Sequence, residues 1–265
     1  MRLPIALQLY SVRDELKKDF YGTLEKVREM GYDGVELSGL DGRDPTEVKK
    51  ALEAVGLECP SSHAPVAELE QEDAFERYAR AGVRFVAVPW MDYGKDNERL
   101  AENIATVRRL AERAAEKNIM LVYHNHDFEF QRVNEKTLLD TLYDEIPASI
   151  LETQLDTCWV KFAGEDPVKY LKKYAGRASL VHLKDFWTDG AGGAAPYDLI
   201  GKTSEARKKT NFEFRPIGHG IQDIPAIIGA AEEAGAEWLI VEQDESRCRP
   251  TLEAARMSIA YLRAL

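Results

Sequence analysis

The sequence predicts a single α/β domain, residues 1–265, folded as a closed (β/α)8 barrel. Three observations lead there. Eight short apolar runs alternate with amphipathic helical stretches along 265 residues. The runs are continuously apolar, as in parallel strands covered by helices. Consecutive parallel strands need a crossover, and eight such units in a chain near 250 residues close a barrel. A doubly wound sheet is the alternative, but no GxGxxG follows the first run.

The elements follow in order. Ile5 to Tyr10 reads as the first strand, and Asp19 to Met30 as a helix stopped by Gly31. Gly34 to Leu37 is the second strand, followed by a helix from Pro45 to Val55 that ends at Gly56. Leu57 to Ser62 leads into His63, then a helix spans Asp73 to Ala81. Phe85 to Pro89 runs into Trp90, and a long helix covers Asn97 to Lys117. The fifth strand, Ile119 to Val122, hands over to Tyr123-His124-Asn125-His126-Asp127-Phe128-Glu129-Phe130. A helix over Glu135 to Asp144, a strand from Ile150 to Leu155 and a helix from Pro167 to Tyr174 come next. Leu180 to Leu183 is the seventh strand. The rhythm then breaks in a long insertion, Trp187 to Gly220, with Gly190, Gly192, Gly193 and a basic cluster, Arg207-Lys208-Lys209. Ile224 to Ala234, Trp238 to Glu242 and Pro250 to Leu262 complete the pattern.

Composition narrows the function. An apolar content of 45% supplies a large core, and a net charge of −11 argues against a nucleic-acid surface. No run of about 18 apolar residues exists, so no membrane span is expected. Cys59, Cys158 and Cys248 are far apart and odd in number, which reads as three buried thiols in a reducing, cytoplasmic setting.

Barrel enzymes place their chemistry at the C-terminal ends of the strands. Here those ends carry Gln8 and Tyr10, Glu36, His63, Trp90, His124 and His126, Asp156, His182 and Lys184, and Glu242. Four of the five histidines lie on this rim; His219 does not. Asp156, His182 and Glu242 each terminate an apolar run, where a carboxylate is costly unless paired or metal-bound. Imidazole with carboxylates suits Mn²⁺, Mg²⁺, Co²⁺, Zn²⁺ or Fe²⁺, with one Mn²⁺ the favoured reading. The fourth ligand is Glu129 or His124. Glu129 is favoured because hard ions prefer oxygen, although its loop must then fold back. Lys184 and His124 are candidates for proton transfer beside Glu242 and Glu129. His63, Trp90, His126 and Glu36 are candidates for substrate contact, Glu36 also for orienting a histidine. Trp159 is a second candidate wall for a sugar pocket. Phosphate binding at Arg207-Lys208-Lys209 competes with a plain charged loop tip.

On these residues the chain resembles the xylose-isomerase-like TIM-barrel superfamily of sugar isomerases and epimerases. The matching pieces are residues 7–13, 31–36, 61–63, 123–130, 155–157, 181–185 and 241–242, of which 123–130 is the most specific. The resemblance implies one divalent metal held by two Glu, one Asp and one His, and Asp156, His182 and Glu242 match three of these positions. Characterised ketose 3-epimerases carry a Glu at the end of strand five, where this chain reads Tyr123-His124-Asn125-His126. That end is instead similar to inosose dehydratases.

The leading expectation is a metal-dependent isomerase or epimerase of a keto-sugar or polyol-derived substrate, working through an enediolate. A keto-sugar dehydratase at the same site is the alternative. An abasic-site endonuclease, which shares the superfamily, and a non-catalytic sugar-binding barrel are remote ones. The expected partner is a sugar-like small molecule; a subunit contact through the long insertion is left open.

Overall fold

In a computed structural model that describes residues 3–189 and 212–265, eight parallel strands close into a barrel. They are β1 (Ile5–Gln8), β2 (Gly34–Leu37), β3 (Glu58–His63), β4 (Phe85–Val88), β5 (Met120–His124), β6 (Leu151–Asp156), β7 (Leu180–Leu183) and β8 (Trp238–Val241). Each pairs with its sequence neighbours, and β1 pairs with β8 to close the ring. Helices follow the strands because acidic caps start them and glycines stop them. Asp44 accepts the N–H groups of Thr46 and Glu47 ahead of Pro45, and Asp19 accepts that of Gly22. Gly31 and Gly56 end their helices at φ 101° and 74°, a left-handed conformation that a side chain would strain.

The alternation of side chains positions the site. Ala6, Phe85, Ala87, Val122, Leu180, Trp238 and Ile240 form an apolar cluster inside the barrel. Gly34 makes room there, since a Cβ on it would press on the Trp238 ring. Two residues further along their strands come Gln8, Glu36, His124, His182 and Glu242, which share the same face and form a polar layer on that apolar floor. Leu7, Val35, Leu121, Val181 and Leu239 belong to the large core on which the helices pack.

Several boundaries differ from the sequence reading. β1 ends at Gln8, because Leu9–Val12 turns into a 3-10 helix whose first N–H groups include one, from Tyr10, accepted by the Gln8 side chain. A short helix, Thr157–Phe162, begins at Asp156, which caps it. The long insertion opens and closes as an antiparallel ribbon, Asp185–Thr188 against Phe212–Arg215. Gly190, Gly192, Gly193 and the cluster Arg207-Lys208-Lys209 lie outside the described residues. Only Cys158 is the buried thiol expected; Cys59 is partly buried and Cys248 exposed, and all three are free. No helix among the described residues is long and apolar enough to cross a membrane.

Asp185 fixes where the chain re-enters the barrel. Its buried carboxylate accepts the backbone N–H groups of Phe186, Gly218, Gly220 and Gln222. A Cβ on Gly220 would overlap both Asp185 Oδ1 and the Phe186 carbonyl. Gly220→Ala should therefore lower the unfolding free energy by about 1–3 kcal/mol, read by chemical denaturation; an unchanged midpoint contradicts the role given to this contact.

Candidate active site

The polar layer is built around Glu36. Its carboxylate accepts from Gln8 Nε2 at 2.6 Å, Ser61 Oγ at 2.5 Å, His182 Nε2 at 2.7 Å and Gln154 Nε2, with His63 Nε2 at 3.1 Å. Burial opposes its charge, but His63 and His182 outweigh burial and hold the carboxyl well below the usual range. Glu36 is thus a fixed anion that only accepts hydrogen bonds.

That anion sets the imidazoles above it. Because Gln154 must offer its amide nitrogen to Glu36, its Oε1 faces His63 Nε2 at 2.7 Å and His124 Nδ1 at 3.1 Å. His124 therefore donates from Nδ1 and turns a lone pair on Nε2 toward Asp156 Oδ2, 3.6 Å away. Two acceptors facing each other suit a cation or a proton donor between them. His182 likewise gives its Nε2 proton to Glu36 and points Nδ1 at Glu242 Oε2, 3.0 Å away. Asp156 spends Oδ1 on the N–H groups of Cys158 and Trp159, and its buried Oδ2 faces the Lys184 ammonium at 3.0 Å.

His124, Asp156, His182 and Glu242 each bring one ligand atom to within 4.8 Å of the others. This donor set of two imidazoles and two carboxylates fits a divalent cation, and the hydrogen bond by which Glu36 orients His182 suits the same reading. His63 forms a neighbouring group with His124 and His182, but its Nε2 is already engaged by Gln154 and Glu36.

Charge is balanced tightly here. Lys184 Nζ contacts Asp156 Oδ2 at 3.0 Å, Glu242 Oε2 at 2.8 Å and Asp244 Oδ2 at 3.2 Å. Burial works against the ammonium, yet Asp156, Asp244 and Glu242 hold its pKa well above normal. Burial also opposes the Glu242 charge, and Lys184 and His182 overcome it. His182, between Glu36 and Glu242, is raised to about 10 despite burial. Burial, with the neighbouring histidines, presses His124 well below 6.5; burial, with Lys184, does so for His126. Both rings are neutral near pH 7.

The open space above this layer is a cavity of about 260 Å³, lined in part by Tyr10, His63, Trp90, His126, Lys184 and Glu242. Trp90 is 44% exposed at its edge. Trp159 is instead fully buried behind His126, among Phe162, Phe186, Phe212 and Phe214. A larger cavity of about 520 Å³ is lined by Leu3, Ile5 and Leu239, near the N-terminal ends of β1 and β8. Glu232 is the single ionisable side chain in its lining, so it carries no comparable chemistry. His219 is exposed on the returning loop.

Most rim residues singled out in the sequence converge here, and Glu129 does not. Its loop forms a 3-10 turn, Phe128–Phe130, that buries the carboxylate away from the group. Oε1 accepts from Tyr123 OH and Oε2 from the His126 N–H, both at 2.8 Å, and Tyr93 OH donates in turn to Tyr123. The imidazole His124 occupies the fourth place in the cluster. Gln154 and Asp244 were not read from the sequence as site residues. Gln154 lies two positions before Asp156 on β6, where strand periodicity was the available signal, and Asp244 lies beyond the end of β8, where that signal does not reach.

Glu129 generates a pH prediction. Burial raises its carboxyl from 4.5 to about 8. The folded protein then holds this proton more tightly than the unfolded chain, so stability falls as pH rises from about 4.5 to about 8. Glu129→Gln should flatten this slope and gain roughly 3–5 kcal/mol relative to the parent above pH 8. Urea denaturation of both proteins between pH 5 and 9 checks it; parallel curves refute it.

Comparison with known proteins agrees with this architecture. The xylose isomerase-like TIM barrel family matches residues 24–265. An inosose dehydratase of Clostridium tetani is 30% identical over 165 residues, 59% of this chain and 51% of that enzyme, so the chain spans about half that relative's length. An inosose dehydratase of Clostridium botulinum is 26% identical over 280 residues, covering 92% of this chain and 89% of the enzyme. Among solved structures, a sugar phosphate isomerase/epimerase from Parabacteroides distasonis superposes with a TM-score of 0.78 at 22% identity, covering 100% of this chain and 94% of the other, a likeness of fold. The chain belongs to the xylose isomerase-like TIM-barrel family.

Proposed function

We propose that this protein is a divalent-metal-dependent dehydratase, a lyase acting on a keto-polyol of the inosose type. The carrying observation is the placement of Glu129. Its carboxylate is committed to Tyr123 and the His126 N–H. A route that needs a second carboxylate at the end of β5 therefore lacks that group, and Glu242 is the glutamate that lines the cavity. The inosose dehydratase relatives support the same reading.

His124, Asp156, His182 and Glu242 would hold the metal, with Mn²⁺ the favoured ion for a mixed oxygen and nitrogen set. When bound, such an ion polarises a ketone and its neighbouring hydroxyl, which acidifies the α-carbon. Glu242, kept ionised by Lys184 and His182, takes the α-proton. Lys184 gives a proton to the β-hydroxyl as its C–O bond breaks, so water leaves and a C=C bond forms. Lys184 keeps Asp244 as a partner, 3.2 Å from Nζ, and Glu242 gives its proton up through the cavity that it lines. His63, His126 and Trp90 bound the cavity and orient the ring hydroxyls.

Epimerisation is the second reading. The isomerase or epimerase expected from the rim residues needs a donor other than Glu129 to return the proton, and His126 and His63 line the cavity. Incubation of the Mn²⁺-loaded protein with an inosose, followed by ultraviolet absorbance and mass, should show loss of one water. Glu242→Gln should cut kcat by about 10²–10⁴-fold. An epimeric ketone with no water lost overturns the lyase assignment; no turnover and no solvent deuterium uptake leaves a sugar-binding barrel.

A further inference from the structure

Lys184 touches the two carboxylate oxygens that face the His124 and His182 rings. Its Nζ lies 3.0 Å from Asp156 Oδ2 and 2.8 Å from Glu242 Oε2, while His124 Nε2 and His182 Nδ1 face those same two atoms. Lys184 is 1% exposed as a residue, so solvent screens its charge weakly. On the other side it reaches a third carboxylate, Asp244 Oδ2 at 3.2 Å, whose residue is outside the four-ligand group.

We propose that Lys184 is a built-in counter-cation of the metal group, competing with a divalent ion for Asp156 and Glu242 and withdrawing to Asp244 when the ion enters. This rests on the metal site proposed above. Three buried carboxylates around one point need positive charge whether or not a metal is bound. A divalent ion on Asp156 and Glu242 would place two like charges within one small buried space, where repulsion is strong. Asp244 gives the ammonium a partner that does not belong to the cluster, so Lys184 stays buried and paired in both states. Asp244 is then a positioning residue: it acts on the metal and the reaction through Lys184.

The sign of the effect is unusual for a residue beside a ligand set, because removing Lys184 should improve metal binding. Isothermal titration with MnCl₂ at fixed pH should give a dissociation constant at least about tenfold lower for Lys184→Met than for the parent. The rise in melting temperature on adding saturating MnCl₂ should also be larger in the variant. If Lys184→Met does not fold, the parent protein decides alone: in its Mn²⁺-bound crystal structure, Nζ should contact Asp244 and lie beyond hydrogen-bond distance of Asp156 and Glu242. Mn²⁺ binding by the parent with equal or weaker binding by Lys184→Met, or a loaded structure with Nζ still on Asp156 or Glu242, overturns the role of Lys184. Absence of Mn²⁺ binding by both proteins overturns the metal site itself, and this inference with it.

Discussion

The constraint on which the site depends is the burial of charge inside a closed barrel. Glu36 sits in the polar layer above the apolar floor with no exposure to solvent, and an unpaired carboxylate there would cost several kcal/mol. Gln8, Ser61, Gln154, His63 and His182, from four strands of the barrel, offset that cost. The same contacts leave these side chains little freedom. His182 is oriented directly by Glu36, and His124 indirectly through the Gln154 amide. An ion-ligating geometry above the layer thus follows from satisfying an anion within it.

Environment separates three glutamates of identical chemistry. Glu36 is enclosed by donors and held charged, so it orients but has no free lone pair to react. Glu242 is held charged by Lys184 and His182 and lines the cavity, which leaves it able to accept a proton from a bound molecule. Glu129 meets one hydroxyl and one N–H in an otherwise uncharged pocket, and burial favours its neutral form up to about pH 8. Its place is to hold the turn after β5, and with it the backbone of His126.

How much of this was legible follows from the same physics. Most strands and their ends could be read because parallel strands are largely apolar and chemistry begins where the apolar run stops, as at Val241-Glu242. Gln154 was less visible, since it interrupts β6 one turn of the pleat before Asp156 and a neutral amide in a strand carries no functional signature. Asp244 lies past the end of β8, in a loop whose course is set by tertiary contacts. The Glu129 reading placed a carboxylate on a metal because of its chemical type. The fold decided otherwise, since a three-residue 3-10 turn directs that side chain toward Tyr123.

Glu242 and Lys184 follow directly on β8 and β7, neighbouring strands of the barrel, and both line the cavity. A base and an acid so close together serve a substrate from one side. On the proposed lyase reading that arrangement suits a syn elimination, in which the proton and the hydroxyl leave one face of adjacent carbons. Inverting a carbon centre needs the proton returned from the far side, where β5 offers neutral His124 and His126 rather than an acid. Burial has made those imidazoles poor proton donors near pH 7, which supports the proposed elimination over epimerisation.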